Sequence, residues 1–130
     1  MAVVDASVIV ELLCESTRTL DARLAEEEHA LWAPHLIDAE VGHALRREVR
    51  LGRMTAEAAA EALWEMNDLP LRRIEHENLI HVAWDLRDNL SFYDGLYVAL
   101  ALALGETLIT FDARLARSGL DLPIEVLDQA

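Results

Sequence analysis

Short, wholly apolar runs alternate along the chain with longer stretches in which apolar residues recur every three or four positions. "AVV", just ahead of Asp5, suits a central parallel strand, because a strand covered on both faces shows no polar alternation. "SVIVELLCE" then has helical spacing through Val8 and Leu12, and "TRTLDARLAEEE" predicts a charged helix with an apolar stripe at Leu20 and Leu24. "ALWAP" reads as a second strand, closed by Pro34. "LIDAEVGHALRREVRLG" predicts a long helix ending near Gly52, and "TAEAAAEALWEMNDL" a partner helix capped by Thr55, together forming a helical hairpin. "LRRIEH" is a candidate edge strand, "ENLIHVAWDLRDN" a helix and "YDGLYVALALA" a helix capped by Ser91. "TLIT" and "IEVL" supply the remaining strands.

Strands alternating with helices predict an α/β fold, a three-layer α/β/α sandwich on a mostly parallel central sheet of about five strands. In such sheets ligands bind beyond the carboxyl ends of the strands. Asp5 follows the first strand directly and Asp112 stands two residues past "TLIT", so both are expected at that rim.

Composition narrows the class. The 130 residues are expected to form one domain spanning residues 1–130, with no linker, repeat or disordered tract. With 53% hydrophobic and 27% charged residues the chain has a globular composition, and runs such as "LYVALALALG" are too short to span a bilayer. A soluble protein with no membrane partner is expected. "MAVVDASVIV" has no basic leader and carries Asp5 inside its apolar run, which argues against a secretory signal and for the cytoplasm. Cys14 is the only cysteine, so no intrachain disulfide or thiolate metal cage is available, and it is expected to be a small buried residue on the first helix. The net charge of −13 disfavours nonspecific binding to phosphate backbones unless arginines cluster locally. All 11 bases are arginine, so a phosphate loop that depends on lysine is excluded.

Four acids then stand out. Each has an ordinary explanation: Asp5 and Asp112 as helix caps, Asp94 as a first-turn acid complementing the helix dipole, Glu40 as a solvated helix charge. Position favours more than that. Asp94 begins a helix that is apolar on all sides, so its carboxylate is expected at the inner end, and Glu40 borders the packing face marked by Ile37, Val41, Ala44 and Leu45. Carboxylates converging at one rim repel each other unless one keeps its proton or a cation is present. All-oxygen ligation points to Mg2+ or Mn2+, and a carboxylate-bound ion pair is a standard device for phosphodiester hydrolysis, one ion activating water and the other stabilising the leaving oxygen.

The ordered blocks "VVDASVIVELL", "APHLIDAEVGHALRR", "SFYDGLYVALALALGETLITFDARLA" and "LPIEVL" resemble the PIN-domain ribonucleases, specifically the VapC toxins of bacterial toxin–antitoxin pairs. The resemblance runs almost from end to end. It implies that Asp5, Glu40, Asp94 and Asp112 are the catalytic, metal-binding acids, with Ser7 and Thr110 as supporting hydroxyls. It also implies Mg2+- or Mn2+-dependent endonucleolytic cleavage of RNA, usually structured tRNA or rRNA, a homodimer, and a cognate VapB-like antitoxin that covers the site. Gly95 departs from the family's frequent alanine, at a helix cost of up to about 1 kcal/mol. Arg46, Arg47 and Arg50, on the helix carrying Glu40, are candidate RNA-binding cations; Arg47 lies two turns from Glu40, and Arg53 stands just beyond. Arg72 and Arg73 are a second candidate pair.

Three other readings compete. Glu40 and His43 form a Glu-x-x-His pair with the spacing of di-iron bundle sites, but no second pair exists, and His29, His35, His76 and His81 show no ligand spacing. A Mg2+ pocket for phosphoryl transfer to aspartate, as in receiver domains or haloacid-dehalogenase-like phosphatases, uses a lysine this chain lacks. A noncatalytic module that binds RNA or a partner remains open, because carboxylate geometry is not written in residue spacing.

Overall fold

A computed structural model describes residues 1–14, 18–25 and 31–128. His29 and the tail of the second predicted helix lie outside these. The strands are β1 (Ala2–Val4), β2 (Leu31–Pro34), β3 (Leu71–Ile74), β4 (Leu108–Thr110) and β5 (Ile124–Val126). The helices are α1 (Ala6–Cys14), α2 (Arg18–Ala25), α3 (Leu36–Arg50), α4 (Ala56–Met66), α5 (Ile80–Asp85), α6 (Phe92–Leu104) and α7 (Ala113–Ala116).

The sheet has the order β3-β2-β1-β4-β5, and every neighbouring pair is parallel, where the sequence predicts a mostly parallel sheet. β1 lies in the middle with all three residues fully buried, which is why its sequence carries no polar alternation. β3 is an edge strand, as its mixed "LRRI" sequence suggests. The chain builds outward from β1 through β2 to β3, then returns to the other side of β1 as β4. This reversal puts the topological switch between β1 and β4, the place where open parallel sheets leave a crevice at their carboxyl ends.

Helices cover the sheet in two groups. α1 packs with α3 and α4; α6 packs with α5 and lies against β1, β2 and β4. α3 buries Ile37, Val41 and Leu45, one side of a helix whose other face is polar. α6 is buried continuously from Gly95 to Ala101, so its sequence is apolar all round. Ser91 caps α6 by accepting the Asp94 amide at 3.0 Å, and Thr55 caps α4 by accepting the Ala58 amide at 3.1 Å. Gly105 ends α6 in the left-handed region (φ 66°), where a side chain would be strained.

Two local expectations are corrected. The helix predicted over residues 77–89 is helical only from Ile80 to Asp85 and tightens beyond it into turns such as Arg87 N–H to Trp84 O, 3.1 Å. Cys14 is exposed, because it lies ~170° around α1 from the centre of the Val8, Ile9, Leu12 and Leu13 face.

Candidate active site

The carboxyl edge of β1 delivers Asp5, and its two oxygens are addressed by two hydroxyls. Ser7 Oγ donates to Asp5 Oδ1 at 2.5 Å while accepting the Phe111 amide at 3.0 Å. Thr110, fully buried at the end of β4, donates through its hydroxyl to Asp5 Oδ2 and accepts the Asp112 amide at 2.9 Å. Each hydroxyl therefore links a backbone N–H of the β4–α7 turn to one oxygen of the first acid, which a parallel β1–β4 register permits. Asp5 also caps α1, accepting the amides of Ser7 (3.1 Å) and Val8 (3.4 Å) at Oδ1. Burial nevertheless pushes the Asp5 carboxyl up, against the lowering effect of these bonds.

Glu40 comes from the second turn of α3 and Asp94 from the first turn of α6, so the acids approach the rim from both helical groups. Burial raises the carboxyl of Glu40, and repulsion from Asp94 and Asp5 adds to it. Asp94 is likewise raised, by burial first and by Asp112 in addition, with Ser91 and Arg114 opposing. Asp112 differs. Arg114 grips its carboxylate, the closest contact being Nη2 to Oδ2 at 2.6 Å, and holds it below the usual carboxylate range. Asp112 also caps α7, accepting the Arg114 amide at 3.0 Å.

Charge therefore links the four acids in a chain: Asp5 and Asp94 act on Glu40, and Asp112 acts on Asp94. Among the described residues no three Asp, Glu, His or Cys side chains are grouped so as to hold a metal ion as they stand. The donor chemistry still suits a hard cation: the donors are oxygens, no lysine is present to neutralise them, and burial raises three of the four carboxyls, with repulsion from neighbouring acids adding at Glu40 and Asp94.

Two neighbours escaped sequence reasoning. Tyr97 is buried one turn beyond Asp94, and its hydroxyl is close enough to Glu40 for the two to interact, yet it makes no well-formed hydrogen bond. Burial, with Glu40 second, pushes the phenol far up. The second is Arg114. Both lie at short spacings from an acid, i+3 and i+2, the only local signal of their role.

A cleft of about 880 Å3 opens beside the acids, with Ser7 and Glu40 in its walls. Arg47, Arg53 and Arg114 also line it, with His43 and Tyr93, and they face Glu11 and Glu48 as well as Glu40, so cations and acids are matched in number along its walls. Of the three RNA-binding candidates, Arg47 lines the cleft. Arg46 and Arg50 are exposed outside it, because they lie ~120° and ~80° around α3 from Glu40. Arg53 is held by Glu48 at 2.9 and 3.1 Å. Arg73 is occupied by Asp38 (2.8 Å) and Arg72 lies over the Trp32 ring (5.3 Å), so neither lines the cleft. His76 does not face the acids; its Nε2 accepts the Leu36 amide at 3.0 Å at the start of α3. No helix among the described residues is long and apolar enough to cross a membrane.

The PIN domain family model matches residues 2–119. A ribonuclease VapC1 of Mycobacterium tuberculosis is 44% identical over 126 residues, covering 95% of this chain and 94% of the relative. Among solved structures, VapBC2 from Rickettsia felis, bound to a DNA fragment from its promoter, superposes with a TM-score of 0.74 at 14% identity, covering 98% of each chain. Mycobacterium tuberculosis VapC20, a toxin that cleaves the sarcin–ricin loop, superposes with a TM-score of 0.67 at 17% identity, covering 93% of this chain and 97% of that one. At these identities the superpositions establish the fold.

Proposed function

Because this chain belongs to the PIN-domain family, and within it to the VapC ribonucleases, we propose that it is a divalent-metal-dependent endoribonuclease and the toxin of a toxin–antitoxin pair. The observation that carries this reading is the acid-lined carboxyl edge of β1 and β4, where two hydroxyls fix Asp5 beside Glu40, Asp94 and Asp112. A bound Mg2+ or Mn2+ would let these carboxylates ionise together and would supply the Lewis acidity for water activation and departure of the leaving oxygen. Asp5, Glu40 and Asp94 would hold it, with Asp112 joining from the β4–α7 turn.

The chain's own groups do the rest. Ser7 and Thr110 keep the Asp5 oxygens oriented by donating to them; Oδ1 also accepts the Ser7 and Val8 amides, so Oδ2 is the oxygen with acceptor capacity left for a cation. Arg47 offers its charge to the RNA backbone from the wall of the cleft, whereas Arg53 is paired with Glu48. The structured RNA class, tRNA or rRNA, follows the family resemblance, as do the VapB-like antitoxin and the homodimer.

Incubation of the purified protein with total cellular RNA and Mn2+ or Mg2+, beside EDTA and Asp94→Asn controls, tests the reaction. Discrete new ends from the wild type with metal alone are expected. No cleavage by a folded protein that binds both metal and RNA would favour a noncatalytic binding module. Arg47→Ala is expected to weaken RNA binding and to lower the salt dependence by about one phosphate contact without loss of stability; unchanged affinity at low salt would remove Arg47 from the RNA path. A monomer mass in light scattering would contradict the homodimer.

A further inference from the structure

Arg114 is held on the fourth acid by both of its reachable nitrogens. Its Nε lies 3.0 and 3.2 Å from Oδ1 and Oδ2 of Asp112, and its Nη2 lies 2.6 Å from Oδ2. The guanidinium thus engages both oxygens of a group that, as a metal ligand, must present at least one of them to a cation. A guanidinium and a divalent ion on one carboxylate repel each other, so occupation by one weakens the other. The grip is easily opened, because the Arg114 side chain is 79% exposed and an ion pair this open to water is weak. Release also has a destination. Arg114 lines the same cleft as Glu40 and Arg47, and a guanidinium fork matches a phosphate as well as it matches a carboxylate.

We infer that Arg114 is an exchangeable counter-ion: it occupies Asp112 in the metal-free protein, yields that carboxylate to a divalent ion, and turns to the RNA phosphate in the cleft. It acts on the metal through Asp112 and on the substrate directly, and the inference rests on the metal-dependent reading above. The device keeps the fourth acid ordered before metal arrives, and it couples metal occupancy to substrate binding. The backbone bond from Arg114 N to Asp112 Oδ1 does not depend on the side chain, so Asp112 stays placed when the guanidinium is removed.

The test titrates the full chain with MnCl2, following free Mn2+ by its EPR signal, for the wild type, Arg114→Gln and Arg114→Lys. A labelled RNA oligonucleotide is titrated in parallel by anisotropy in Ca2+. Arg114→Gln is expected to bind Mn2+ about two- to fivefold more tightly and RNA several-fold more weakly. Arg114→Lys, which keeps the charge and loses the two-oxygen grip, is expected to bind Mn2+ more tightly than the wild type while recovering most of the RNA affinity. Equal Mn2+ affinity in the wild type and Arg114→Lys overturns the latch, since a charge-only effect survives that exchange. Tighter Mn2+ binding by Arg114→Gln with unchanged RNA affinity overturns the hand-over to phosphate. Absence of Mn2+ binding in all three proteins overturns the metal reading itself, and the latch with it.

Discussion

Replacing Thr110 by Val tests the hydroxyl relay at the heart of the rim. The exchange is nearly isosteric and removes one oxygen from a fully buried position. Two interactions go with it: the donation to Asp5 Oδ2 and the acceptance of the Asp112 amide at 2.9 Å. A hydrogen bond to a charged group contributes ~1.5–3 kcal/mol, and an amide deprived of its acceptor costs ~1–3 kcal/mol. Burying a methyl where a hydroxyl stood offsets about 0.8 kcal/mol. The net loss expected for Thr110→Val is about 2–5 kcal/mol at pH 7.5. Thr110→Ser keeps the hydroxyl and loses one buried methyl, at about 1 kcal/mol. Urea unfolding in EDTA reads both variants, with the slope checking that the unfolded state is unchanged. Because the carboxyl of Asp5 is raised, it takes up its proton at a higher pH than a free aspartate, and the cost of Thr110→Val should shrink as pH falls through that range. A loss below 0.5 kcal/mol for Thr110→Val, or equal losses for Val and Ser, would show that the relay does not hold Asp5.

The remaining expectations concern the same rim and its support. Asp5, Glu40 and Asp94 are all raised, so the native state binds more protons than the unfolded chain above pH ~4. Metal-free stability should therefore fall as pH rises from that point through the folded pKa values, and Asp94→Asn should exceed the wild type in EDTA at pH 7.5, with the difference closing near pH 4; a flat wild-type profile would contradict the charge conflict. Asp112 works in the opposite direction, its depressed pKa contributing stability that is lost as pH falls through the folded value. Tyr97→Phe removes a buried hydroxyl with no well-formed partner and is expected to stabilise the metal-free protein by about 1 kcal/mol in urea unfolding. A loss of similar size would mean that the phenol donates to Glu40 in solution. Gly95→Ala would set its new Cβ 3.1 Å from the Ala83 carbonyl oxygen on the packed α5–α6 face, and a net loss of about 1 kcal/mol is expected after the gain in helix propensity; a rise in melting temperature would show that α5 moves aside.

Local chemistry carried much of the fold. "AVV" and "TLIT" contain no polar alternation because their strands are covered on both faces, Thr55 and Ser91 stand where helix ends need acceptors, and α6 is apolar all round because it is buried all round. These are short-range constraints, so single-chain periodicity records them. The sequence by itself also placed Asp5 and Asp112 just past strand ends, and Glu40 and Asp94 in the opening turns of helices. Tertiary structure decided what those acids meet. The contacts of Ser7 with Phe111 and of Thr110 with Asp5 depend on β1 lying beside β4 in parallel register, which no local pattern encodes. The selection of Arg47 over Arg46 and Arg50 depends on which face of α3 borders the cleft, and the exposure of Cys14 depends on which face of α1 is covered. The partnership of Arg114 with Asp112 and the burial of Tyr97 beside Glu40 arise in the same way, because side-chain environment is set by strand order and helix placement, whereas periodicity reports only which side of each element is apolar.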